Sequence, residues 1–272
     1  MSVEKFIRFR DARDTPKPFL EHVEDLRTMV VRMAVALSVA MFLAFAFRSQ
    51  LAAFVQGPLI AVDPSRIDNL QSLGVADSMT ISLKLSFYAG LVMAFPVLLY
   101  FLAEFVLPAL TARERRVVLL AAVVGFGLFL AGAAFAFFGV LPQALEFFFL
   151  DAQAMQWRPT WTVGEYYSFV TQFTLGFGLA FELPVVVLAL VKVGLLDSSR
   201  MRATRPYAVV FVFLLAAIIT PTTDIFTLLV MGVPMVMLYE ACIWIACWME
   251  KRGGPEVTTR GEGRSGQKQD PG

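Results

Sequence analysis

Several ionisable side chains of this sequence stand inside long apolar runs. Glu182 lies near the middle of the run 166–196, and Pro184 two residues later frees the carbonyl of Ala180. Thr171, Gln172, Thr174, Gly176 and Gly178 precede it, so the segment reads as a polar, small-residue helix carrying a carboxyl. Insertion of an acid at such a place costs roughly 2.5–3.5 kcal/mol. Two readings fit: a docking point for a polar group on a partner helix or an ion site, and an internal hydrogen bond to a neighbouring span. Glu240 stands in the run 225–249, where Tyr239 or nearby helices could satisfy it. Lys84 is close enough to the end of its run to snorkel, and reads as structural.

A second group of acids lies outside the apolar runs. Glu21, Glu24, Asp25 and Thr28 fall on one face of a helix, with Leu20, Val23 and Leu26 on another. Glu114 sits within Ala112-Arg113-Glu114-Arg115-Arg116. Carboxylates clustered at a membrane surface suit a cationic peptide, and arginine is the best partner because its planar fork meets a carboxylate with two hydrogen bonds. The plainer reading is a solvated face neutralised by Arg27 and Arg113. His22 is the sole histidine and reads as a surface residue, since no cysteine or second histidine could join it around a metal. Cys242 and Cys247 are about 140° apart on a helix and cannot pair with each other; they read as buried thiols.

The elements that position these residues are membrane spans. Of 272 residues, 58% are apolar and 17% charged, with a mean hydropathy of +0.68, whereas about a quarter of an ordinary soluble chain is charged. This excludes a disordered chain, a nucleic-acid-binding module and an ordinary cytosolic enzyme. No removable signal peptide is expected, because the first residues lack an apolar core before a small-residue cleavage site. A bilayer core needs roughly 20 apolar residues per helix. Six spans are expected, at about 29–47, 81–107, 117–141, 166–196, 207–220 and 225–249. The third is expected to stop at Pro142 and give way to a polar loop, 143–164. The fifth is short, so either the bilayer thins there or other helices cover that edge. The predicted fold is an all-α integral membrane protein. Residues 1–27 form an N-terminal segment with an amphipathic acidic helix, 28–249 the six-span domain, and 250–272 a disordered tail.

Lys and Arg placement predicts the orientation. The N-terminal segment, the links at 108–116 and 197–206, and the tail carry seventeen of them; the opposite loops carry Arg48, Arg66 and Arg158. Both termini are therefore expected in the cytoplasm.

The motifs, taken in order, resemble the TatC family, the polytopic subunit of the twin-arginine protein translocase. His22-Val23-Glu24-Asp25-Leu26-Arg27 is similar to H-L-x-E-L-R, and Lys84-Leu85-Ser86-Phe87 opens the second span as in that family. Phe105 to Arg116 resembles F-x-x-P-A-L-x-x-x-E-R-R, and Phe181-Glu182-Leu183-Pro184 resembles F-E-x-P. Arg205-Pro206-Tyr207, Thr220-Pro221 to Asp224-Ile225-Phe226, and Pro234 to Glu240 match the flanks of span five and the body of span six. Asp25 stands where the pattern has Glu and reaches one methylene less, with Glu24 beside it. The Thr220–Asp224 turn carries one residue more than T-P-P-D, and Leu228 stands where a Gln can occur.

The resemblance implies a receptor, not an enzyme, with no cofactor and no metal. It implies binding of twin-arginine signal peptides of folded precursors at Asp25, Glu24, Glu21 and Glu114, flanked by Arg27, Phe105 and Arg116. It implies that Glu182, Thr220, Pro221 and Asp224 dock single-span TatA/TatB-type partners, that several copies associate in one complex, and that the proton gradient drives export. The alternative class is an ion-coupled small-molecule transporter using Glu182 and Glu240, but no internal repeat accompanies it. An intramembrane hydrolase would need a Ser/His pair, an H-E-x-x-H or two intramembrane aspartates, and these are missing.

Overall fold

A computed structural model describes residues 19–63, 67, 70–106, 112–220 and 224–253, with the side chains of 19–22, 112–114 and 252–253 excepted. The described residues are helical apart from connecting turns and one isolated parallel bridge, Gln71 to Thr162. The expected N-terminal segment and tail lie largely outside them. In chain order the helices are α1 Phe19–Ala46, α2 Arg48–Val55, α3 Gly57–Val62, α4 Asp77–Val106, α5 Ala112–Ala134, α6 Leu141–Ala154, α7 Val163–Ala180, α8 Glu182–Val193, α9 Ser198–Ala203, α10 Arg205–Ile219 and α11 Ile225–Gly253. A π-helical stretch, Phe135–Val140, joins α5 to α6. Five segments are long and apolar enough to cross a membrane: Val23–Ala46, Asp77–Val106, Arg115–Ala154, Val163–Val193 and Ile225–Lys251. The apolar helix Arg205–Ile219 is shorter, with 15 residues or about 22 Å.

Small residues let these helices approach where no hydrophobic drive between them exists. On α4, Ser86, Gly90 and Ala94 recur every four residues and are buried; Ala40 and Ala44 answer them on α1. A Cβ at Gly90 would lie 2.7 Å from the backbone nitrogen of Met41, so only glycine permits this crossing. The Arg32–Glu104 ion pair, 3.7 Å, ties the middle of α1 to the end of α4, and with Met41 on Gly90 it makes the pair antiparallel. The other flank of α1, with Val31, Val35, Phe42 and Leu43, stays exposed.

The core gathers around α7. Phe173 and Phe177 are fully buried, and Gly178 admits the ring of Phe129, itself stacked on Phe95 at 3.8 Å between centroids. Gly132 of α5 lies against the Phe177 carbonyl and the Phe181 ring. At the far end of α7, Tyr166 donates to the Val55 carbonyl at 2.9 Å, Tyr167 to the Ala52 carbonyl at 3.2 Å, and Gln56 Nε2 to the Tyr167 hydroxyl at 2.8 Å. These bonds fasten α2 and α3 over the end of the bundle. The sequence reading had only a polar stretch there, because the two short helices draw their partners from residues more than 100 positions away.

The third span departs from its expected end. Pro142 does not stop it: Pro142 sits in the first turn of α6, where a missing N–H costs nothing, and the helix runs on to Ala154 through the expected loop. The π stretch absorbs the ring, with the Leu141 N–H reaching back five residues to the Ala136 carbonyl. It also presents Phe137, which stacks on Phe54 of α2 at 4.7 Å. Pro184 behaves as the sequence suggests: the long fourth run divides at Phe181 into α7 and α8.

Gly90→Leu is expected to destabilise the bundle by about 1–3 kcal/mol or more, because the side chain must displace the α1 backbone. Thermal unfolding of the detergent-solubilised protein measures it; an unchanged transition would contradict the close crossing.

Candidate docking sites

Glu182 opens α8 immediately after the break at Phe181, two residues before Pro184. Its carboxyl turns onto Gly125 of α5, where a Cβ would lie 2.7 Å from Oε2. Gly125 thus makes the room that the carboxyl fills. Glu182 Oε1 is buried and has no hydrogen-bond partner among the described residues; two turns earlier, Thr174 Oγ1 is in the same position. Among the described residues Oε1 makes none of the internal hydrogen bonds that were one reading of Glu182, and because this oxygen is buried the carboxyl must turn outward before it can meet a group from another chain.

Glu240 has a different fate. Arg205 at the start of α10 donates to its Oε2 at 2.8 Å, while Tyr239 donates instead to the Met201 carbonyl of α9. The partner expected for Glu240 among its neighbours is thus an arginine 35 positions away. Ser168 accepts from Lys84 at 3.2 Å, a structural contact between α4 and α7. Cys242 is buried and Cys247 half-buried, and both thiols are free.

Thr220 caps the C-terminal end of α10. Asp224 starts α11, its Oδ1 accepting from the Thr227 N–H at 2.7 Å and Oδ2 from the Thr227 hydroxyl at 2.8 Å. Pro221 lies outside the described residues. Gly176 of α7 meets Ile219 and Met231. The α10 end is therefore level with Gly176, about 9 Å along the axis from Glu182. Helix α7 continues about 20 Å past that level, so the α10–α11 hairpin is sunken relative to its neighbours. Tyr207, Phe211, Leu214 and Ile218 on α10, with Leu229, Val233 and Met237 on α11, keep an apolar face exposed along this hairpin.

At the end of the bundle where α1 begins and α4 stops, Glu24 and Asp25 are exposed on α1. Arg27 bonds Glu24 at 3.0 Å, one turn away on the same helix. Phe105 is half-buried at the end of α4, and Arg116 is exposed on α5. The side chains of Glu21, His22 and Glu114 lie outside the described residues. Charge at this end also builds the small helix α9: Asp197 caps it, accepting from the Arg200 N–H at 2.7 Å, and Glu250 of α11 takes both the N–H and the hydroxyl of Ser198. The sequence named none of the pairs Arg32–Glu104, Arg205–Glu240 or Ser198–Glu250. For the two ion pairs, opposite charges at the same end of different spans were the available signal, but only packing selects which ones meet.

The family model for TatC, described as the Sec-independent protein translocase protein, matches residues 21–234. The chain belongs to the TatC family. A TatC from Koribacter versatilis is 34% identical over 249 residues, covering 90% of this chain and 91% of that protein. A TatC from Akkermansia muciniphila is 49% identical over 176 residues, covering 65% of this chain and half of the longer relative. A crystal structure of the twin-arginine translocase receptor TatC superposes with a TM-score of 0.75 at 32% identity, covering 84% of this chain and 98% of that one. This TatC-family chain is a component of the Sec-independent protein translocase and a multi-pass membrane protein. Its relatives carry the names of transport components rather than of enzymes. Family membership decides against the small-molecule transporter.

Two outcomes follow from the caps. Asp224→Ala should fray the first turn of α11, at a cost of about 1 kcal/mol, read as faster amide exchange at Thr227. The Arg200 N–H and the Ser199 hydroxyl hold the Asp197 carboxyl below the usual carboxylate range. Its stabilisation of α9 is therefore complete above the ordinary value and lost as pH falls through the lower folded value. Amide protection at Arg200 should drop in acid below about pH 4, and Asp197→Asn should flatten that dependence.

Proposed function

We propose that this TatC-family chain is the receptor subunit of the translocase, binding twin-arginine signal peptides at its α1 end and organising single-span TatA/TatB-type partners. The observation that carries the reading is the pair of exposed carboxylates, Glu24 and Asp25, on α1 at the most basic end of the bundle. The first guanidinium of the precursor bonds Asp25, with Glu24 and Glu21 beside it; the second bonds Glu114. Arg27 holds Glu24 at 3.0 Å and gives way to the incoming arginine. Phe105 and Arg116 flank this site, and the apolar stretch of the signal peptide enters between the spans. The basic end faces the cytoplasm, both termini lie there, and Arg205–Ile219 serves as the short fifth of six spans.

Partner helices dock along the exposed face of α10 and α11, between Thr220, Pro221 and Asp224 at the turn. A polar group on the partner satisfies Glu182 Oε1 once the carboxyl turns outward; this oxygen is buried and has no partner among the described residues, which supports the role. A sunken hairpin with an apolar flank suits a helix from another chain. Several copies assemble around the bound precursor, and the proton gradient drives its passage.

A pull-down with detergent-solubilised protein tests the receptor role. A precursor bearing Arg-Arg should be retained, and the same precursor bearing Lys-Lys should not, since lysine keeps the charge and loses the fork. Glu114→Ala should weaken Arg-Arg retention by about ten- to a hundred-fold, the worth of a charged hydrogen bond, while the protein still inserts. Equal retention of the two precursors would refute the arginine-reading site. Glu182→Ala should spare precursor binding and reduce cross-linking to TatA/TatB-type partners; partner cross-linking at the wild-type level would remove Glu182 from the docking site.

A further inference from the structure

An apolar groove of about 200 Å³ runs between α5 and α8. Its α5 wall extends from Val117 to Leu128, about 16 Å of helix, and its α8 wall from Pro184 to Lys192; Met249 of α11 closes one side. Every lining residue is apolar except Lys192, and none is acidic. The antiparallel register set by Glu182 on Gly125 carries Lys192, ten residues further on, to the level of Arg115. Lys192 and Arg116 are both exposed, and neither makes an ion pair among the described residues. The groove is thus a hydrocarbon slot whose mouth, at the end of the spans, is cationic.

We propose that this groove holds one acyl chain of an anionic phospholipid, with the phosphate at Lys192 and Arg116. Its length and its charge select this occupant: about 16 Å of apolar wall runs alongside α5, and the charged groups at its mouth are cationic. A twin-arginine peptide meets repulsion from Lys192, whereas Glu24 and Asp25 would attract it. Basic pockets between spans at the membrane surface bind acidic headgroups, and a single chain alongside α5 leaves the headgroup at the level where Lys192 ends. Lysine in the last turn of α8 also complements the partial negative charge of that helix end, but this needs no groove. The deep end of the slot, at Leu128 and Pro184, reaches the level of the Glu182–Gly125 contact, but neither Glu182 nor Gly125 lines it. A bound chain therefore packs beside the candidate partner site without occupying it, and the inference stands whether or not Glu182 docks a partner.

The test uses the full chain in neutral detergent with equal amounts of phosphatidylglycerol and phosphatidylcholine, the retained lipid being counted by native mass spectrometry. The wild-type protein should retain phosphatidylglycerol preferentially. Lys192→Gln should reduce that preference about five-fold, the worth of one lysine near an anionic headgroup. Ala189→Trp, which fills the groove and leaves Lys192 in place, should lower phosphatidylglycerol retention as well. Lys251→Gln, a charge at the same end outside the groove, should leave it unchanged. Equal retention of the two lipids by the wild type, an undiminished preference in Lys192→Gln, wild-type retention by Ala189→Trp, or an equal loss in Lys251→Gln would each overturn the proposal. Lys192 is exposed, so Lys192→Gln keeps the fold and decides the matter alone if Ala189→Trp fails to fold.

Discussion

The amide hydrogen that Pro184 lacks shapes the middle of this protein. In hydrocarbon no water replaces a lost backbone bond, so a proline inside a span must be accommodated by the chain itself. Here the helix divides at Phe181, and the first residue after the break is Glu182. Phe181 turns its ring onto Gly132, and Glu182 turns its carboxyl onto Gly125, seven residues or two helical turns earlier on α5. One missing donor thereby sets the register of α5 against α7 and α8. The position of Lys192 and the walls of the α5–α8 groove depend on that register.

A second proline shows the same constraint resolved differently. Pro142 is preceded by a π-helical stretch, and the span continues without a break in direction large enough to end it. The extra residue in that turn presents Phe137 to α2, so the strain of one proline is coupled to the seating of the helices that cover the bundle end. Pro96 and Pro234 are carried inside α4 and α11 as helix-interior prolines.

Polar groups divide by fate, and the proposed docking sites follow from that division. Arg205 satisfies Glu240, Glu250 satisfies Ser198, and Asp224 is spent on starting α11. Glu182 Oε1 and Thr174 Oγ1 are left over among the described residues. The leftover carboxyl lies one and a half turns from the level where the short helix α10 ends, beside spans whose apolar flanks are uncovered. The proposed recruitment of single helices rests on this pattern: polar groups are paired where the chain holds itself, and one carboxyl oxygen is left unpaired among the described residues.

The sequence by itself determined the class, the family and most of the spans. Apolar runs of bilayer length are local properties, and an ordered set of short motifs is read one window at a time. It also placed the carbonyl that Pro184 frees, that of Ala180, because a proline removes the donor to the residue four before it. The shortness of the apolar run 207–220 was equally legible, and the helix there, Arg205–Ile219, has 15 residues. Tertiary structure alone decided the ion-pair partners of Glu104 and Glu240, the seating of α2 and α3 on Tyr166 and Tyr167, and the continuation of the third span past Pro142. Each of those depends on which helix faces which, and in lipid that choice is made by close packing at glycines such as Gly90, Gly125 and Gly132. A glycine in the sequence does not name the backbone or side chain that will approach it, so the contacts that set the register became visible only once the helices were packed.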